Sequence, residues 1–377
     1  MVIRPYRMRY AAAARIETGL ILLLACSLGH AGQLGSISPE LGKRAGLVTE
    51  QLQSWRESAA DTPMLRLEST PIVLAALDAA PKRQDISDSK GAIAVIYPDI
   101  GEPYRSIFAK IIEGIQEQAK VAVSTYPVGP NSNPADLSAQ LTRGGVKVVI
   151  ALGRQGLKAA SGLERDIAVV VGGVLSVPES ESRNLAGISL TPDPALLFAL
   201  LKKLLPGIKR ITVVYDPQHN DWLIKLARDA AKALGIELVI REAHDLASAA
   251  HLYEAAFAAA DSRLDAIWLL QDATTVDEDT ILPLVLKESW SRGVPVFSSS
   301  FLHVRKGALF ALYPDNLVLG RDLANTALSV LAGEPRKRGV SPLREVLTAV
   351  NVRTASHIGL NIDYRLQRSF DFIFPEP

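Results

Sequence analysis

VPVFSSSFLHVRKGALFALYPDNLVLGRDLANTALSVLAGE, residues 294–334, is the stretch around which the rest of the chain is arranged. It opens on a short apolar strand, 294–297, crosses a polar loop to Gly307, and enters a second apolar run at 308–313. Apolar runs of this length between breakers read as buried strands of a parallel sheet. Pro314, Asp315 and Asn316 stop the second run. A short polar side chain there can accept the unpaired N–H groups of a following helix. Leu317, Leu319, Leu323, Ala327, Leu328 and Leu331 then recur at helical spacing up to Gly333, which suits the left-handed turn that closes helices.

Working outward, the segment before this stretch alternates regularly. Apolar strands are expected at 92–98, 121–128, 146–153, 167–175 and 185–190, separated by helical patterns at 104–119, 133–143 and 154–163. The alternation restarts with a helix at 195–205, strands at 210–217, 236–240 and 266–270, and helices at 221–234, 247–260 and 277–291. Strands alternating with helices imply right-handed βαβ units and parallel sheets covered on both faces. Two such series predict an α/β protein of two doubly wound parallel-sheet lobes. Ligands of such sheets sit at the carboxyl ends of the strands, so the default site is the cleft between the lobes.

Two sets of residues add a resemblance. Lys306-Gly307-Ala308-Leu309 between two strands, then Tyr313-Pro314-Asp315, then a helix holding Leu319-Gly320-Arg321, resemble the substrate-binding proteins of ABC transporters with the type I periplasmic binding fold. Within them the likeness is to the subfamily associated with tryptophan and tyrosine uptake. Near the C-terminus, Asn351, Thr354-Ala355 and Ile358-Gly359-Leu360 are similar to the closing motif of that family. The resemblance spans residues 90–363 and is strongest from Arg210 onward. The loop after the first strand, IYPDIGEPYR, departs from the family pattern. The resemblance implies three crossings between lobes. Lobe 1 is then expected at 91–190 plus 308–345 and lobe 2 at 191–307 plus 346–363, with a tail at 364–377.

It also implies a periplasmic solute-binding protein that takes a small, amino acid-like organic solute and delivers it to an ABC permease in the inner membrane. The alternative is a ligand-sensing receptor of the same fold that reports to a signalling partner. Candidate ligand-binding residues are the polar, aromatic and glycine positions at strand ends and crossings: Tyr97, Asp99, Gly153, Arg154, Gln155, Gly173, Tyr215, Asn220, Gln271, Asp272, Ser299, Tyr313 and Asp315. Of these, Asn220, Asp272 and Asp315 match the family's binding motifs best. An amino acid needs donors for its carboxylate and an acceptor for its ammonium. Arg154 could serve the first, and Asp272 or Asp315 the second.

Composition narrows the alternatives. The formal net charge of the 377-residue chain is +1, with charges interspersed, which gives no footprint for nucleic acid. No nucleotide-binding loop, metal-ligand spacing of histidines or GxSxG elbow occurs. The Ser298-Ser299-Ser300 run has no base that the sequence identifies. The expectation is therefore a non-enzyme without cofactor or metal.

The N-terminus reads as an export signal, residues 1–31. Arg4, Arg7, Arg9 and Arg15 precede the apolar run GLILLLACSLG, and Gly29 and Ala31 flank a cleavage-like site. The mature chain is expected to start near Gly32, with 32–90 an extension and linker. The single cysteine, Cys26, follows Leu23-Leu24-Ala25, and a lipid anchor there is the variant reading.

Overall fold

The computed structural model describes residues 92–177, 185–334 and 339–376, all within the unit Asp85–Pro377. The expected signal, Cys26 and the 32–90 extension lie outside the described residues.

The first sheet is entirely parallel among its described pairs. It contains β1 (Ile93–Pro98), β2 (Val123–Val128), β3 (Val148–Leu152), β4 (Ala168–Gly172), β5 (Ala186–Pro192) and β11 (Gly339–Leu343), in the order β11-β5-β4-β3-β1-β2. Its central strands are apolar at every position because both faces are covered, and alternate residues serve different cores. Ile93, Val95, Val148, Ile150 and Val170 pack under α1 (Tyr104–Ala119) and α9 (Asn316–Leu331). Ala94, Ile96, Val149 and Ala151 face Leu137 and Leu141 of α2 (Pro134–Arg143) and Ala160 of α3 (Gly153–Ala160).

α1 and α9 meet at glycines. A methyl group added to Gly320 would overlap the Ile111 carbonyl oxygen, and one added to Gly114 would overlap that of Leu317. The two backbones therefore touch directly. The contact is framed by Gln118 Nε2 donating to Asn325 Oδ1 (2.7 Å) and by an Arg321–Glu117 ion pair (2.8 Å). The Leu319-Gly320-Arg321 motif thus has a packing role here: leucine in the core, glycine at the contact, arginine on the rim.

The second sheet has the order β13-β12-β10-β9-β8-β6-β7. Parallel strands β6 (Arg210–Tyr215), β7 (Glu237–Glu242), β8 (Asp265–Leu269), β9 (Val296–Ser298) and β10 (Phe310–Pro314) form its body. β12 (Val346–Asn351) runs antiparallel to β10, and β13 (Phe372–Phe374) parallel to β12. On one face, beneath α4 (Pro194–Leu204) and α5 (Pro217–Ala233), Phe198 meets Trp268 edge-on at 5.2 Å and Phe297 stacks on Phe310 at 5.2 Å. The other face packs Val214, Ile267, Leu269 and Val296 against α6 (Leu246–Ala259) and α7 (Ile281–Arg292). The remaining helices of this half are α8 (Phe301–Lys306), α10 (Val352–His357) and α11 (Tyr364–Gln367).

Several details differ from the sequence reading. The apolar run at 308–313 was expected in lobe 1, but as β10 it pairs with β9 and β12 in the second sheet. The polar loop before Gly307 contains α8, and Gly307 closes that helix with a φ of 133°. α5 begins four residues earlier than its periodicity suggested, because Asp216 caps it and Pro217 takes its first position. The tail, to which no role was given, supplies the edge strand β13.

Candidate functional site

The chain passes between the sheets three times: from β5 into α4, from β10 into α9, and from β11 into β12. β5, β10 and β11 leave their sheets at carboxyl ends. β12 starts opposite the carboxyl end of β10, with Val346 paired to Pro314. All three crossings therefore lie where the carboxyl ends of both sheets converge, which is where an open α/β sheet receives its ligand.

Asp193 organises the first and third crossings. Its Oδ1 accepts from Ala195 N (2.9 Å) and caps α4, its backbone N–H donates to Leu343 O (2.8 Å), and its Oδ2 pairs with Arg344 (3.0 Å). At the second crossing Asp315 Oδ1 accepts from Leu317 N (3.0 Å) and Val318 N (3.2 Å), as its position before the helix predicts.

On the first-lobe side, Tyr97 is half-buried at the end of β1 and Asp99 is exposed beyond it. Gly153 and Gly173 end β3 and β4 with φ of 67° each. A side chain at either would press on Phe108, at 3.0 Å in both cases. These glycines let the chain turn tightly across that ring. Arg154 and Gln155 are exposed in the first turn of α3, whose N-terminus has no side-chain cap. Its free N–H groups and the Arg154 guanidinium together favour an anionic group.

On the second-lobe side the expected residues divide into two groups. Tyr215, Asn220 and Asp272 are engaged internally. Asp272 Oδ2 accepts from Asp216 N (2.9 Å) and Asn220 Nδ2 (2.9 Å), and its Oδ1 accepts from Thr274 N (3.0 Å). The carboxylate expected to hold a ligand ammonium thus stitches the loop after β8 to the start of α5. Tyr215 lies in the apolar core with its hydroxyl near Asp221 and Glu242 (3.3 Å each). Burial, reinforced by those two carboxylates, pushes its pKa up to about 12. Asp216 is held below the usual carboxylate range: burial acts to raise it, but hydrogen bonds from Gln218 N, His219 and Thr274 outweigh that.

Gln271 and Ser299 behave differently. Gln271 Oε1 and Ser299 Oγ are buried without a hydrogen-bond partner, at the carboxyl ends of β8 and β9. Buried polar atoms are nearly always paired, so two orphans at adjacent strand ends mark a place where a ligand can complete the bonding. Tyr313, half-buried at the end of β10, stands edge-to-face with Phe301 at 5.0 Å.

The Ser298 run does have a base beside it. His303 Nδ1 lies 2.7 Å from Ser298 Oγ, which also contacts Leu269 O (3.2 Å) and accepts from Ser300 N (3.1 Å). The sequence reading missed this because a six-residue helix brings His303 back, and such a helix leaves no periodicity. Ser298 and His303 are both buried and fix the β9–α8 turn. Burial depresses the His303 pKa to about 4, with Glu278 opposing and Lys306 assisting. Among the described residues no group of histidine, cysteine and carboxylates could hold a metal ion.

The sequence profile of the family described as ABC transporter substrate binding protein matches residues 128–369, more than half of the chain. The chain belongs to that family. Its members are binding proteins that capture solutes for transport by ABC systems, typically outside the cytoplasm or in the periplasm. Among solved structures, the ABC domain in complex with L-Trp from Streptococcus pneumonia is 18% identical, with a TM-score of 0.51, over 75% of this chain and 100% of that one. The ligand-free, open form of a substrate binding protein with adhesive properties from Clostridium difficile is 16% identical, with a TM-score of 0.55, over 74% of this chain and 98% of that one. At these identities the likeness is one of fold, and it agrees with the two mostly parallel sheets. No curated protein matches the chain. Among the described residues, no helix of this family member is long and apolar enough to cross a membrane.

Proposed function

We propose that this substrate-binding protein captures a small, amino acid-like solute between its two lobes and delivers it to an ABC permease, without catalysing a reaction. The observation that carries the reading is the pair of buried, unpartnered atoms, Gln271 Oε1 and Ser299 Oγ, at the carboxyl ends of β8 and β9. A hydroxyl can donate or accept, and an amide oxygen accepts, so the pair suits the ammonium and polar groups of such a solute. Across the cleft, the uncapped start of α3 with Arg154 suits its carboxylate. Asp315 Oδ2, not used in capping α9, adds an acceptor at the second crossing. Tyr97, Asp99, Gln155 and Tyr313 complete the wall, while Gly153 and Gly173 shape it. The N-terminal signal pattern supports export to the periplasm, and Cys26 is the residue at which a lipid anchor would attach.

The test is calorimetric titration with a panel of amino acids and related solutes, on wild type and on Gln271→Leu and Ser299→Ala. One solute should bind saturably, and each variant should lose about 1–2 kcal/mol, roughly 5- to 30-fold in affinity. Failure of every solute in the panel, or unchanged affinity in both variants, would overturn the reading.

A further inference from the structure

The second lobe carries a recess that the solute cleft does not explain. It lies at the other end of the sheet. β12 pairs with β10 from Val346 opposite Pro314, beside the crossings, to Val350 opposite Phe310. Four residues of strand, about 13 Å at 3.3 Å each, separate the two ends. The recess has a volume of about 620 Å³ and is walled by α7, the end of α8, the β12–α10 junction and the residues after β13. That volume lies within the range of small-molecule sites, about 300–1,000 Å³.

Its charge is one-sided. Lys287, Arg305, Lys306 and Arg353 line it, with Glu376 as its one acidic group. Lys306 is paired with Glu278 (2.9 Å). Lys287, Arg305 and Arg353 have no carboxylate partner among the described residues. Setting Glu376 and Glu278 against the four cations leaves two positive charges in excess. Three unpaired cations around one concavity repel one another and favour a counter-anion.

The floor of the recess is fixed. Trp290 is 42% exposed, and its ring stacks on His357 at 3.7 Å with 8° between the planes. His357 Nε2–H donates to Trp290 O (2.8 Å), which holds the imidazole in place. The Arg353 guanidinium stands 5.6 Å from the centre of the same indole. An arginine held against an aromatic plate has already lost part of its side-chain freedom, so less entropy is lost when it takes an anion.

We propose that this recess binds a phosphate-bearing anion of two or more negative charges. Arg305 and Arg353 offer planar forks that match phosphate oxygens, and Lys287 adds a point charge. A free phosphorylated solute and an anionic phospholipid headgroup share this chemistry, and the experiment separates them. Inorganic pyrophosphate is titrated into the protein by calorimetry, with citrate as the carboxylate control. In parallel the protein is sedimented with vesicles of phosphatidylcholine alone and with added cardiolipin, whose headgroup carries two phosphates. Both arms are repeated on Lys287→Gln/Arg353→Gln; both residues are exposed, and the melting temperature checks that the variant folds as wild type does.

Saturable pyrophosphate binding that weakens about a hundredfold in this double variant, and falls with added salt, supports a free solute. Binding to the cardiolipin vesicles and not to pyrophosphate, lost in the variant, supports the headgroup. No binding in either arm, equal binding by the variant, or citrate bound in preference to pyrophosphate would overturn the proposal. Since the solute cleft shares none of these residues, its titration with amino acids should be unchanged in the variant.

Discussion

Asp272→Ala should destabilise the empty protein rather than merely weaken its hold on a ligand. Asp272 is 6% exposed, and its Oδ2 is the acceptor for Asp216 N and Asn220 Nδ2, on residues that are 4% and 8% exposed. Removing the carboxylate leaves two buried donors without a partner. Each costs about 1–3 kcal/mol, so the expected loss is roughly 2–6 kcal/mol. Asp272→Asn keeps one acceptor oxygen. If that oxygen serves Asp216 and Asn220, the new NH2 group meets only the part-buried Thr274 N–H, and about half of the loss should be recovered. Urea unfolding followed by circular dichroism measures both variants, and equal m-values would confirm that stability alone has changed. Stabilities of both variants within about 0.5 kcal/mol of wild type would refute the reasoning, because buried donors cannot lose their acceptor at so small a cost. If that result came with a loss of solute affinity, Asp272 would be a direct ligand contact.

Further tests follow from the packing and the charges. Gly320→Ala places a methyl group against the Ile111 carbonyl; overpacking of this kind costs about 1–3 kcal/mol, and an unfolding midpoint equal to wild type would contradict the backbone contact of α1 with α9. His303, with its pKa depressed to about 4 from 6.5, is neutral in the folded state. The unfolded chain binds the extra proton between those values, so stability is full above pH 6.5 and is lost as pH falls. The loss attributable to His303 should reach about 3 kcal/mol near pH 4. The difference between wild type and His303→Asn in stability measured from pH 7 to 4 reads it, and parallel curves would exclude it. Arg344→Ala removes a crossing ion pair whose arginine is 72% exposed, so stability should change by less than about 1 kcal/mol.

The sequence carried the parts of the fold written in local patterns. The strand pair within 294–334, the cap at Asp315 and the helix to Leu331 were legible because apolar period, breaker and cap agree there. The same stretch did not reveal which sheet β10 joins, since an apolar run records burial and not its neighbours. β11 also escaped notice: Gly-Val-Ser-Pro-Leu has neither alternation nor an apolar run, and it is a strand only because β5 pairs with it. The candidate site shows a similar limit. Gln271, Asp272 and Ser299 look alike as polar residues at strand ends. What separates Asp272 from the other two is a donor 56 positions away. His303 is buried because α8 folds it back onto Ser298, and nothing in its immediate neighbours announces that.

The position of α9 and β11 in the chain has a consequence for how the protein is made. Both belong to the first sheet and its cover, yet both are synthesised after β6 to β10 of the second. The contacts that lock α1 to α9 join residues 204 and 207 positions apart. Closing such loops is entropically expensive, so these contacts form late in folding. A nascent chain that has emerged only as far as β10 holds most of the second sheet, while the first still lacks an edge strand and the helix that seals one of its faces. Ribosome-bound or truncated chains ending before residue 316 should therefore be protease-sensitive in the earlier half of the sequence, and supplying residues 315–376 as a separate fragment should restore resistance there.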